Sequence, residues 1–452
     1  MRGPGEILLL SCYELGHQPL GLAVPAAFLE RAGFAPRTLD LSLERLEPEA
    51  VARARLVAIS VPMHTALRLG VRAADEVRRR NPAAHLCFHG SYATLNQAHL
   101  VARHGDSVLG GEVEEALVRL AEALEAGRPI DPRPPPVRAR LDFVLPSRRS
   151  LPPLDRYARL EVDGTTRLAG AIEATRGCKH TCRHCPLTPV YQGRFFAVPR
   201  DLVLADAEQQ IAAGASHLTF ADPDFLNGPR HAIELARELH RRHPHVSFDA
   251  TIKVEHLLQQ PRLVEELGRL GGLFVVSAFE SVNDRVLEAL AKGHTAGDLP
   301  RALEIVRASG MSLRPTFVAF SPWETVESRL ALFEFVLREG LVESIDPVQY
   351  TLRLLIPPGS SLVELESMRP HLGALEPVEF GHRWTHPDPR MDELAAASAK
   401  LVHDATARGE PAATIFDRLH AQTRALAGEG EAPAYRSVPR PPVPRLSESW
   451  FC

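Results

Sequence analysis

Two blocks of alternating strand-like and helix-like runs lie on either side of a proline-rich stretch. In the first block, "EILLLS" (6–11), "LVAISV" (56–61), "HLCFHG" (85–90) and "SVLGG" (107–111) are short apolar runs that predict buried strands. Between them "GLAVPAAFLERAG" and "ALRLGVRAADEVRRR" carry apolar residues at helical spacing, and "EVEEALVRLAEALEAG" closes the set with acids in its first turn and Gly127 at its end. Residues 128–156 are rich in Pro and Arg, have no period, and read as an extended linker. From 168 the alternation resumes. Strands are predicted at 168–177, 217–222, 247–252, 273–281, 314–321 and 348–355, with helical runs between them.

Strand and helix in alternation give a parallel sheet wrapped by helices. The fold class is therefore α/β. It consists of an N-terminal Rossmann-like, flavodoxin-type parallel sheet, then six βα units forming a partial (β/α)6 TIM-like barrel, then a C-terminal helical region and an extended tail. The corresponding boundaries are 1–127, a Pro/Arg-rich linker at 128–166, the barrel at 167–362, a helical region at 363–428 and a Pro-rich tail at 429–452.

Composition narrows the function classes. With 452 residues and a net charge of −4, the chain shows no bias toward nucleic acid. Only four of its 52 basic residues are Lys, and the arginines are scattered rather than gathered into a patch. The longest apolar runs are too short to span a bilayer, and the N-terminal apolar run, preceded by Glu6, reads as a strand rather than a signal peptide. Six cysteines do not make a disulfide scaffold, which fits a reducing, cytoplasmic setting.

Three of those cysteines gather in "TRGCKHTCRHCPLTP", as Cys178-x3-Cys182-x2-Cys185, directly after the first predicted barrel strand. Thiolates hold iron–sulfur clusters, and a cluster tied by three leaves one iron with an open position. A Cys3His zinc knuckle using His180 or His184 is cramped at this spacing, and an electron-transfer cluster needs a fourth cysteine that lies far off in sequence. On this motif and its setting the barrel resembles the radical S-adenosylmethionine (SAM) superfamily. The resemblance implies a [4Fe–4S] cluster on Cys178, Cys182 and Cys185, with SAM chelated at the open iron and cleaved reductively.

Further stretches carry the likeness. "FADPDF" (220–225) matches the family's second strand end, implying SAM contacts at Phe220, Ala221 and Asp222, although Asp222 and Asp224 also suit helix N-caps. "SAFES" (277–281) implies Ser277, Glu280 and Ser281, with Glu280 or Ser281 toward the ribose. Lys292 stands at a recurrent family position, or is simply solvated. Arg353, inside "LRLLIPPGSSL", is costly to bury unpaired, and holds either the SAM carboxylate or a neighbouring acid.

The N-terminal block resembles the cobalamin-binding domain that precedes many such barrels. Its loop ends imply Gln18, Ser60, His64, Gly90, Gly110 and Glu112 as cobalamin-binding residues. Cobalt-ligating relatives carry Asp-x-His-x-x-Gly. Here "LGHQPLG" lacks the Asp and places Gly21 one position late, so His17 is not carried over as the cobalt ligand. A methylthiotransferase would need three further cysteines in this domain, which offers only Cys12 and Cys87. The end, "SESWFC", resembles radical SAM proteins with a Cys-Sec or Cys-Cys tail.

The expectation is a radical SAM enzyme, with cobalamin-dependent methyl transfer to an unactivated carbon or phosphorus as its reaction. The alternatives are a cobalamin-independent radical maturase of a peptide or small molecule and, outside enzymes, a structural zinc or electron-transfer protein. The implied partners are a small-molecule or peptide substrate and an electron donor such as flavodoxin or ferredoxin, with neither nucleic acid nor membrane.

Overall fold

The computed structural model describes residues 1–430, 435 and 443–448. Cys452 and its neighbours Trp450 and Phe451, which carry the tail resemblance, lie outside the described residues. The predicted alternation of strands and helices folds as two parallel sheets. The first contains β1 (Ile7–Ser11), β2 (Arg37–Asp40), β3 (Leu56–Ser60), β4 (His85–His89) and β5 (Ser107–Leu109), in the order β2-β1-β3-β4-β5. All four pairings are parallel. Strand β2 was not expected. It is a four-residue edge strand, "RTLD", too short and polar to show a period. Chain order reverses at β1, between β2 and β3, and a ligand crevice belongs at such a switch, beyond the C-terminal strand ends.

The second sheet is seven-stranded. It contains β6 (Arg159–Val162), β7 (Thr165–Ile172), β10 (His217–Phe220), β11 (Ser247–Thr251), β12 (Gly272–Glu280), β13 (Ser312–Phe317) and β16 (Arg445–Leu446), ordered β13-β12-β11-β10-β7-β6-β16. From β7 to β13 the pairing is parallel, while β6 and β16 add antiparallel at the other edge. Leu160 and Val162 of β6 pack with Phe274 and Val276 of β12, so the sheet curls on itself into a partial barrel.

The outer barrel face is apolar. Leu218, Phe248, Ala250, Val275 and Leu313 bury against Ala232, Leu267 and Leu303 of the surrounding helices. The inner face carries polar side chains. His217 bonds Ser247 Oγ and Asp249 Oδ1, each at 2.9 Å, and Thr219 Oγ1 donates to Asp249 Oδ1 at 2.7 Å.

Three expectations are corrected. The sixth barrel strand, 348–355, is absent. Pro347–Thr351 is a 3-10 turn, and only an isolated Phe320–Arg353 bridge follows. The Gln349 side chain accepts from Phe317 N at 3.0 Å and so replaces strand backbone, while Tyr350 stacks on Phe333. Within the presumed linker, residues 159–162 form β6, and Arg148 is buried on Asp206. The C-terminal region is not purely helical. The hairpin β14 (Leu372–Glu376) and β15 (Gly381–Trp384) precedes helices Pro389–Ala407 and Ala412–Ala427. Among the described residues no helix is long and apolar enough to cross a membrane.

Candidate functional site

The short hairpin β8 (Thr175–Gly177) and β9 (Phe195–Ala197) leads into the cysteine loop. Gly177 has φ +72°, and a Cβ there would lie 2.5 Å from the Arg194 carbonyl oxygen, so only glycine turns the chain into the loop. Three separate segments then hold the loop. Asn227 Oδ1 accepts from Lys179 N at 3.2 Å and lies 3.6 Å from Cys178 Sγ. Arg183 donates to the carbonyls of Glu288 and Ala289, each at 3.0 Å, and its backbone N–H to Leu290 O. Ser360 Oγ donates to the Arg183 carbonyl at 3.1 Å.

Burial pushes the Cys185 thiol up to about 12 and raises Cys178 as well, and the neighbouring cysteines push further in the same direction. Cys178 and Cys185 therefore stay protonated until a metal centre draws off their protons, which is what coordination does. The donor set therefore fits a cluster. Each loop histidine uses its Nε2 in a contact outside the loop, while His184 Nδ1 is buried without a partner. His184 Nε2 is 3.1 Å from Glu280 Oε1, and His180 Nε2 is 3.3 Å from His256 Nε2. His180, Asp224 and His256 could together hold an ion, but the Lys253 ammonium lies 3.3 Å from His180 Nδ1 and opposes a cation there. Asp224 Oδ2 lies 2.7 Å from His256 Nδ1, and its other carboxylate oxygen caps the 3-10 turn Phe225–Asn227.

Glu280 ends β12 at a register shift, with φ +64°. Its Oε1 also takes the Lys292 Nζ at 3.1 Å. Burial would raise this carboxyl, but Lys292, then His184, outweigh it and hold it well below the usual range. Lys292 is thus a buried partner and not a solvated lysine.

The other expected SAM contacts are spread more widely. The Phe220 ring packs on Phe225 in the outer core, while Ala221 is exposed and donates its N–H to the Ile172 carbonyl. Asp222 accepts from Thr175 Oγ1 and Ala174 N, and burial pushes its carboxyl up to about 7. Ser277 Oγ donates to Ile252 O, and Ser281 Oγ to Glu324. Arg353 pairs with Asp392 at 2.7 Å and stacks over Trp384, so the neighbouring acid holds it.

On the N-terminal sheet, Ser60 packs against Gly21, where a Cβ would lie 2.2 Å from its Oγ. Gly90, at φ +103°, lies under the Val61 carbonyl, and Gly110 lies against Thr94. These glycines let the chain pack on itself at the strand ends and in the first turn of helix Leu20–Arg31, and two polar atoms at those strand ends, Ser11 Oγ and His89 Nε2, are buried without a partner, which fits a polar-edged cofactor there. Gln18 is turned into the protein, bonding Pro152 O and the Arg148 guanidinium. His64 reaches the Glu379 carbonyl. His17 lies near Asp249 and His217, and burial lowers its pKa.

Sequence reading missed the junction between the sheets. Arg176 binds Glu112 at 3.2 Å, Glu114 at 2.6 Å and Glu173 at 2.7 Å, and Tyr191 OH donates to Glu112 at 3.0 Å. One guanidinium therefore ties the cysteine loop to the last loop of the N-terminal sheet. The arginine directly before the loop glycine was the only local signal.

Residues 172–336 match the family described as radical SAM superfamily, and residues 7–121 match the B12 binding domain. Among curated proteins, the hopanoid C-3 methylase of Methylococcus capsulatus is 24% identical, over 68% of this chain and 62% of its own length. The bacteriochlorophyllide d C-8(2)-methyltransferase of Chlorobaculum tepidum is 25% identical, over 59% and 60%. The chain thus spans about three-fifths of the length of these relatives. Among solved structures, TsrM from Kitasatospora setae, a radical SAM methyltransferase with cobalamin and a [4Fe–4S] cluster bound, superposes with TM-score 0.66. The match has 16% identity and covers 93% of this chain and 99% of that one. OxsB with aqua-cobalamin superposes with TM-score 0.68 and 13% identity, covering 88% and 67%. At these identities the likeness extends to the fold.

Proposed function

Taking as premise that the chain is a radical SAM superfamily protein with an N-terminal B12 binding domain, we propose that it is a cobalamin-dependent radical SAM methyltransferase acting on an unactivated centre. The observation that carries this reading is a loop of three cysteines held from three sides, with the other described cysteines, Cys12 and Cys87, buried in the N-terminal domain. Cys178, Cys182 and Cys185 hold the cluster. When bound, the cluster and cobalamin supply the electron for SAM cleavage and the carrier for the methyl group.

The chain's own residues orient and shield. Asn227, Arg183 and Ser360 fix the cysteine loop from three sides. Glu280, kept ionised by Lys292, is the acceptor for a ribose hydroxyl. Arg176 ties the cysteine loop to the last loop of the N-terminal sheet, which helps to keep water from the space where the cofactors would meet. The reaction needs a reductant and a substrate. A flavodoxin or ferredoxin fits the first role, and a small molecule or peptide the second.

Anaerobic reconstitution tests the reading. The expected result is about four irons per chain, a bound-corrinoid spectrum, and conversion of SAM to S-adenosylhomocysteine or 5′-deoxyadenosine. One zinc per chain with no SAM binding would overturn it. Cluster and SAM cleavage without corrinoid would favour the cobalamin-independent maturase. Glu280→Gln is expected to weaken SAM binding to the reconstituted protein about ten- to a hundredfold, the value of a hydrogen bond to a charged group, as read by equilibrium dialysis. Unchanged affinity would remove Glu280 from the site.

A further inference from the structure

The N-terminal sheet ends in a buried polar row. Its register aligns Asp40, Ser11, Ser60 and His89 across four neighbouring strands, each 0–4% exposed. In-register neighbours point to one face. Two residues earlier that face carries Leu9, Ala58 and Cys87, which pack with Leu22 and Ala26 of helix Leu20–Arg31 and Leu117 of helix Glu114–Glu125. The row therefore lies where the first turns of both helices meet the sheet.

Two members of the row are accounted for. Asp40 accepts from Ser42 and from Tyr157 OH, and Ser60 packs on Gly21. The other two are not. Ser11 Oγ and His89 Nε2 are buried without a hydrogen-bond partner, and so is Glu114 Oε2 at the helix start. His89 and Glu114 feel each other's charge, yet no hydrogen bond joins them. Native proteins pair nearly all buried polar atoms, and each orphan costs about 1–3 kcal/mol, so three in one neighbourhood point to a guest that satisfies them.

We propose that Ser11, His89 and the free oxygen of Glu114 form a subsite for a neutral group of cobalamin that both donates and accepts hydrogen bonds, a carboxamide or a hydroxyl. The inference rests on the cobalamin reading above. Burial lowers His89 to about 4, so its ring is neutral and offers one donor and one acceptor. The cation beside Glu114, Arg176, is already taken by the carboxyls of Glu112, Glu114 and Glu173, which disfavours a phosphate here. Cobalamin carries the required chemistry in two places, the amide arms of the corrin ring and the nucleotide arm.

The test is titration of the full-length chain with hydroxocobalamin and with cobinamide, which lacks the nucleotide, followed by absorbance. Ser11→Ala and His89→Leu are each expected to weaken binding about tenfold, the value of one hydrogen bond, while His89→Gln retains most of it. Weakening for cobalamin alone assigns the subsite to the nucleotide arm, and weakening for both corrinoids assigns it to the ring amides. Because Ser11→Ala removes an orphaned hydroxyl, the cofactor-free variant should melt no lower than wild type, which separates lost binding from lost folding. Unchanged affinity for both corrinoids overturns the subsite alone. A wild-type chain that binds neither corrinoid overturns the cobalamin reading with it.

Discussion

Replacing any one of Cys178, Cys182 or Cys185 by alanine is expected to abolish iron retention and SAM cleavage together. The cause is the supply of ligands. His184 is committed to Glu280 and His180 to His256, and the other described cysteines, Cys12 and Cys87, are buried in the N-terminal sheet. No other described cysteine can take over a vacated position. Iron analysis after anaerobic reconstitution should fall from about four per chain to below about one, and the cluster absorbance should vanish. The cofactor-free chain should tolerate the change at Cys178 and Cys185, because burial already keeps those two thiols neutral and alanine removes no charge. Those two variants should therefore melt near cofactor-free wild type while lacking the increment that a tightly bound cofactor adds. A variant that kept full iron would show another ligand at work.

The second large effect is expected at Arg176. Its side chain is 10% exposed and faces Glu112 and Glu114, at 0% and 5%. Arg176→Gln leaves those carboxylates, and Glu173, buried without their cation. Removing one partner of a buried pair typically costs about 3–5 kcal/mol. Calorimetry should show a lower midpoint and a separation of the two sheets' transitions. The pH dependence has a defined sign. Burial already pushes Glu112 up to about 7 from 4.5 despite Arg176. A carboxyl raised by folding contributes stability while protonated and loses it as pH rises through the folded value. Without the guanidinium these carboxyls rise further, so the deficit of the variant should be smaller at pH 5.5 than at pH 8. An equal deficit at both would remove the junction carboxylates from the account.

What was legible in the sequence was local. The cysteine triplet lies within eight residues, and most of the parallel strands of both sheets, though not the polar edge strand β2, are short apolar runs that burial reads directly. Glu280 stood at the end of such a run. Arg176 was not legible, because Glu112 and Glu114 lie 64 and 62 residues away and nothing in "TRG" indicates a partner at that range. The sixth strand failed for the opposite reason. "VQYTLRLL" has strand composition, but Gln349 spends its side chain on Phe317 N and Tyr350 turns to Phe333, so tertiary contacts override the local preference. The polar row was hidden because Ser11 and His89 look like ordinary strand ends until the register aligns them.

The pairing of β16 with β6 also orders the assembly of the molecule in time. Arg445 meets Glu161 across 284 residues, and Glu448 reaches Tyr13 across 435. The five strands of the first sheet need only contacts within about the first hundred residues, and can form while the rest is still being made. The edge of β6 and the loop at Tyr13 stay uncovered until the barrel, the hairpin and both C-terminal helices exist. During synthesis the interval between those events leaves that strand edge and that loop open, the last surfaces of the two sheets to be closed.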